Sequence, residues 1–180
     1  MGFSISRVKK ILLLSFFLAT YMILKRLLSV KILIVSLSFS FVPFILCAVM
    51  LGKRHTILLG ALGDILGMLL FPRGAFFPGY TISSMLTGYI YGTFLYQQHK
   101  IVADRKFFIR LIVSVTIVGV FINFGLNTVW LYCITKNVAK IIAPIKLVKQ
   151  FILIPFKVTT IYCSIKMLEY KMNKSRATFT

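Results

Sequence analysis

Three stretches of this chain, residues 32–52, 74–99 and 111–135, contain no Lys, Arg, Asp or Glu. Each is about as long as the ~20 residues that carry a helix across the hydrocarbon core of a bilayer. A soluble core needs no such runs, because a surface helix alternates apolar and charged faces. The runs are spread over the whole chain, so a single N-terminal signal peptide does not explain them. Composition agrees: 59% of the 180 residues are hydrophobic and 14% are charged, against about 25% charged in a soluble domain. The chain reads as an all-α integral membrane protein.

Six spans fit the pattern: about Ser6–Leu28, Ile32–Leu51, Thr56–Phe71, Gly79–Gln97, Phe107–Ile134 and Ile141–Met167. They form one domain over residues 1–180. Span 3 is short and carries Gly60, Gly63 and Gly67, which let another backbone approach closely. Pro43 and Pro155 fall inside spans and predict kinks or irregular backbone there. The segment from Phe71 to Tyr80 is too rich in Pro and Gly for helix and reads as a cap or a connecting loop.

The charge balance is 22 basic to 3 acidic residues. The bases are dispersed between apolar spans, not gathered on a soluble face, so nucleic-acid binding is excluded as a reading. With both termini cytoplasmic, the inner segments hold Arg7, Lys9, Lys10, Lys53, Arg54, Lys100, Arg105, Lys106, Arg110, Lys166, Lys171, Lys174 and Arg176. The outer segments hold Lys25, Arg26, Lys31, Arg73, Lys136, Lys140, Lys146 and Lys149. The inner excess obeys the positive-inside rule. The outer bases run against it, with no acid beside them in those segments. They read as a cationic vestibule for an anionic solute, or as solvated lysines.

Asp64 is the acid placed within a span core. A carboxylate there costs several kcal/mol unless it is paired or hydrated. It reads as an ion pair with Arg26 or another buried base, or as a contact for the donor edge of a ligand. Arg26 reads as a snorkelling side chain or as a clamp on a carboxylate. Asn123 and Asn127, four apart, share one helix face. Trp130 is an interface anchor or an aromatic pocket wall. Ser15 and Ala19 form a small-xxx-small pair suited to close helix packing.

Several chemistries are missing from the sequence. No P-loop motif, HExxH or paired carboxylates occur, so the chain is expected to be no enzyme and to need no cofactor or metal. Cys47, Cys133 and Cys163 are too widely spaced for a zinc site and read as small buried apolar residues.

The stretch from Gly60 to Gly92, with its GDILG and FPRGAFFPGY strings, closely resembles the folate-specific S-components of energy-coupling-factor transporters. Ala19–Arg26, Leu126–Leu131 and Leu153–Pro155 are similar to the same family. The resemblance implies a six-helix S-component fold with cytoplasmic termini in a bacterial cell membrane. It implies high-affinity capture of folate from outside, with a transmembrane coupling subunit and two ATP-binding-cassette ATPases as partners. The family's first helix packs on the coupling subunit through small residues, here Ser15 and Ala19. By charge and shape, Arg26 and Lys146 are expected to hold the folate carboxylates, Asp64 to read the pterin edge, and Phe77, Tyr80 and Trp130 to stack on the rings, with Gly79 and Asn127 as further substrate contacts; which base faces which end of the ligand is left open. Lys146 stands where the family tends to have Arg, and keeps the charge without the planar fork. The alternatives are an S-component for another vitamin such as a flavin, or a membrane assembly subunit without transport.

Overall fold

The computed structural model describes residues 7–27, 30–32, 35–37, 39–71, 77–97, 104–135 and 153–170, with backbone alone at 26–27, 30–32 and 35–37. Helix α1 (Arg7–Met22) continues through a wider π-helical turn, Ile23–Leu27. Strands β1 (Val30–Ile32) and β2 (Val35–Leu37) pair antiparallel, Val30 opposite Leu37. Helices α2 (Phe41–Leu51), α3 (Lys53–Leu70) and α4 (Pro78–Phe94) follow. Helix α5 (Arg105–Ile117), a π-helical stretch (Val118–Leu126) and α6 (Asn127–Ile134) form one continuous rod. A last helix, α7, covers 153–170.

The main departure from the sequence reading is span 2. Its first third is the β1–β2 hairpin, and the helix is only Phe41–Leu51. The β-branched run around Val30, Ile32 and Val35 favours extended backbone, and antiparallel pairing satisfies the peptide groups that a helix would otherwise satisfy. Pro43 lies in the first turn of α2, where its missing N–H costs no hydrogen bond, and not at a mid-span break. Pro78 similarly opens α4 as its first residue. The end of the expected cap segment is therefore already helix, and residues 72–76 lie outside the described residues. So does the first part of span 6, before residue 153.

Gly52, at φ 79°, turns the chain between α2 and α3. This left-handed backbone favours glycine. The core is built from Ile45, Val49, Leu59, Leu111, Val115, Ile161 and Ile165 on four helices, α2, α3, α5 and α7. Cys47 is buried among them, whereas Cys133 and Cys163 face outward, against the expectation for both. The outside is equally apolar: Val8, Ile11, Leu12, Phe16, Leu69 and Phe121 are all more than half exposed. The Arg105–Ile134 rod is long and apolar enough to cross a membrane. Exposed apolar patches of this extent mark a surface meant for lipid or for another protein.

Helices α3 and α4 approach backbone to backbone. A Cβ on Gly60 would stand 2.5 Å from the Ser84 carbonyl oxygen, and one on Gly88 2.5 Å from that of Thr56. Gly92 meets the Lys53 backbone in the same way. No larger residue fits these positions without separating the helices. Gly88→Leu is expected to cost on the order of 3 kcal/mol. Gly125→Ala, whose new methyl would meet its nearest neighbour at 3.5 Å, is expected to stay within about 0.5 kcal/mol. Thermal unfolding in detergent distinguishes them.

Candidate functional site

The close approach of α3 and α4 places Asp64 against the first turns of α4. The Thr81 hydroxyl donates to Asp64 Oδ2 at 2.9 Å. From the π-helical end of α1, the Lys25 ammonium lies 3.4 Å from Oδ1. Lys25 also donates to the Tyr21 hydroxyl at 2.7 Å, and sits 4.9 Å from that ring's centre. The Tyr21 ring reaches this place because Gly63, beside Asp64, offers no side chain. A Cβ there would meet the ring at 2.5 Å. Asp64 is 8% exposed and Lys25 is partly open. The buried acid is thus ion-paired, as one of the two sequence readings had it, with Lys25 as its base. The Arg26 side chain, like those of Lys31, Arg73, Lys136, Lys140, Lys146 and Lys149, lies outside the described residues.

A second cluster forms on the opposite flank of α4. Trp130 Nε1 donates to the Ser83 hydroxyl oxygen at 3.0 Å. Its ring lies 5.6 Å from Phe77, which in turn meets Tyr80 edge-on at 6.2 Å. Gly79 is pressed against both rings: a Cβ would stand 2.5 Å from Phe77 and 2.6 Å from Trp130. Thr81 and Ser83 are two apart on α4, so they point to different sides. Asp64 and Trp130 therefore flank the start of the same helix from two directions, with Phe77 and Tyr80 at its N-terminal end beside Trp130. One helical turn before Trp130, Asn127 buries its Oδ1, and Thr128 its Oγ1, with no partner among the described residues. A buried acceptor left unpaired costs about 1–3 kcal/mol, which a ligand donor would recover.

The structure so unites Phe77, Gly79, Tyr80 and Trp130, sets Asn127 beside them, and puts Asp64 on the far flank of α4. Ser15 and Ala19 are away from both clusters, exposed on α1. Sequence reasoning named Lys25 among the outer bases without pairing it to Asp64, and missed Tyr21, Thr81, Ser83 and Thr128. The spacing of Tyr21 and Lys25, four apart on one helix, was a usable signal. Thr81 and Ser83 gave none, since hydroxyls in membrane helices commonly bond their own backbone, as Thr87 does to the Ser83 carbonyl.

The chain has relatives among known proteins. Residues 5–162 match the family model of the ECF-type riboflavin transporter S component. The chain belongs to this S-component family. Among curated relatives, the folate transporter FolT of Clostridium novyi (strain NT) is 32% identical over 163 residues, 91% of each chain. The FolT of Leuconostoc mesenteroides subsp. mesenteroides is 33% identical over 123 residues, 68% of this chain and 63% of that one. The crystal structure of FolT bound with folic acid superposes with a TM-score of 0.75, at 29% identity. That match covers 91% of this chain and 93% of the other.

The ion pair sets a stability test. Asp64→Asn leaves the Lys25 ammonium uncompensated, and Lys25→Met leaves the carboxylate so. Each is expected to cost about 1–2 kcal/mol, moderated by the solvent access of Lys25. The double variant is expected to lose about 1 kcal/mol less than the sum. A thermal double-mutant cycle without ligand measures this.

Proposed function

We propose that this chain captures folate at the outer face of the bacterial cell membrane, as the S-component of an energy-coupling-factor transporter. It spans the bilayer several times with cytoplasmic termini, and ATP hydrolysis in partner subunits drives uptake. The observation that carries the ligand assignment is Asp64. Its carboxylate is held between α3 and α4 by Thr81 and Lys25. A carboxylate has about four acceptor positions, so it retains capacity for two more donors. The amino-pyrimidinone edge of folate offers two adjacent N–H donors, which match two carboxylate oxygens in parallel. The family model is named for riboflavin, and flavin is the second reading. The flavin edge, however, presents one N–H between two carbonyls, and those carbonyls would face the carboxylate. Both the curated relatives and the solved structure reported above are folate proteins by name.

The remaining roles follow from shape and charge. Phe77, Tyr80 and Trp130 supply flat apolar surface for the ligand rings, Gly79 keeps that surface open, and Asn127 supplies an acceptor. Arg26 and Lys146 hold the carboxylate tail, aided by the outer lysines, whose field draws an anion inward. Such a site needs no cofactor.

Trp130 is the single tryptophan, so its fluorescence reports on this site. Folate is expected to quench it saturably in the purified protein. Asp64→Asn is expected to weaken folate at least about tenfold, the worth of one charge-assisted hydrogen bond. Riboflavin displacing folate at lower concentration than folate itself would move the assignment to flavin.

The partner reading rests on α1. Ser15 and Ala19 lie on its exposed side among Ile11, Leu12 and Phe16, so two small residues interrupt a wall of large ones. A helix of the coupling subunit packs closely there. Ala19→Trp is expected to abolish co-purification of the coupling subunit and its two ATPases while folate quenching persists. Undiminished co-purification would remove α1 from the interface.

A further inference from the structure

Two contacts among the described residues anchor the Lys25 ammonium. Tyr21 accepts from it at 2.7 Å, and Asp64 Oδ1 lies 3.4 Å away. Tyr21 is itself seated against α3 at Gly63, within one residue of Asp64. The cation is therefore set beside the carboxylate by packing as well as by attraction. That packing opposes its displacement when another donor arrives at Asp64. Among the described residues, the groups that reach this carboxylate are the Lys25 ammonium from the π-helical end of α1 and the Thr81 hydroxyl from α4, with the Tyr21 hydroxyl bonded to Lys25 behind them.

We propose that Lys25 is a specificity-determining positioning residue: it makes the recognition point at Asp64 electrically neutral, and so selects an uncharged heterocycle edge over a protonated one. The proposal rests on the reading of Asp64 as the contact for the ligand's heterocycle. A bare carboxylate in a low-dielectric site attracts a cationic ligand edge strongly. With an ammonium fixed on one oxygen, that attraction is cancelled, and a protonated edge would bring a second positive charge close to the first. An uncharged amino-pyrimidinone edge keeps its hydrogen bonds to the carboxylate and meets no repulsion. Discrimination of this kind works through a repulsive element built against the competitor. The competitor here is a 2,4-diaminopyrimidine edge, whose more basic ring takes up a proton when it meets a carboxylate.

The test compares folic acid with its 4-amino analogue aminopterin, which differs at that edge alone. Trp130 quenching gives both dissociation constants for the wild type, Lys25→Met and Lys25→Arg. Lys25→Met is expected to shift the affinity ratio towards aminopterin by about tenfold or more. Lys25→Arg, which keeps the charge, is expected to hold the ratio within about threefold. If Lys25→Met does not fold, Lys25→Gln carries the same expectation, since it keeps a donor and loses the charge. A ratio unchanged in the neutral variants overturns the inference and makes Lys25 a general anchor for the ligand or the fold. A ratio shifted equally by Lys25→Arg overturns it too. Failure of the wild type to bind either compound overturns the folate reading itself, and this inference with it.

Discussion

Helices α3 and α4 meet through their backbones at Gly60, Gly88 and Gly92, and the setting of Asp64 against α4 descends from that contact. A hydroxyl as short as that of Thr81 reaches the Asp64 carboxylate only because the helix axes are so close. Between apolar helices in lipid no hydrophobic effect drives association, so tight van der Waals contact and interhelical hydrogen bonds supply it. Here one interface provides both. Gly63 extends the same logic to α1, admitting the Tyr21 ring and with it the Lys25 ammonium.

The outcome is a charged pair held inside a helical bundle and open to one side. Breaking such a pair by removing one partner costs more than never having built it, so its presence calls for a use. The family match and the folate-bound relative supply the setting: a ligand with a donor edge, rings and an acidic tail. In the reading proposed above, Asp64 answers the first, the Phe77–Tyr80–Trp130 group the second, and the dispersed outer bases the third. The π-helical turns at Ile23–Leu27 and Val118–Leu126 border this end of the structure, where Lys25 and Asn127 emerge. Such wide turns recur at functional sites, since they redirect side chains that a regular helix would leave in line.

Much of this was legible before any coordinates. Charge-free runs of bilayer length required helices, because hydrocarbon forbids unsatisfied peptide groups, and each of the six expected spans contains described helix, that of span 2 confined to Phe41–Leu51. Asp64 stood out by the cost of a carboxylate in an apolar run, and the glycines around it by their number. The GDILG and FFPGY strings carried the family. The extended backbone at Val30–Leu37 was not legible, since an apolar run rich in Val and Ile suits strand and helix alike.

Sequence by itself determined the class, the helical register and the one buried acid, because burying charge and leaving backbone unpaired in an apolar medium are penalties that depend only on residue type and run length. The tertiary structure alone decided that the acid pairs with Lys25, that Thr81 serves it, and that Trp130 approaches the opposite flank of α4. Partner choice depends on which helix faces come within hydrogen-bond reach. That is set by the depth to which glycines let helices approach, a distance in space that no spacing along the chain encodes.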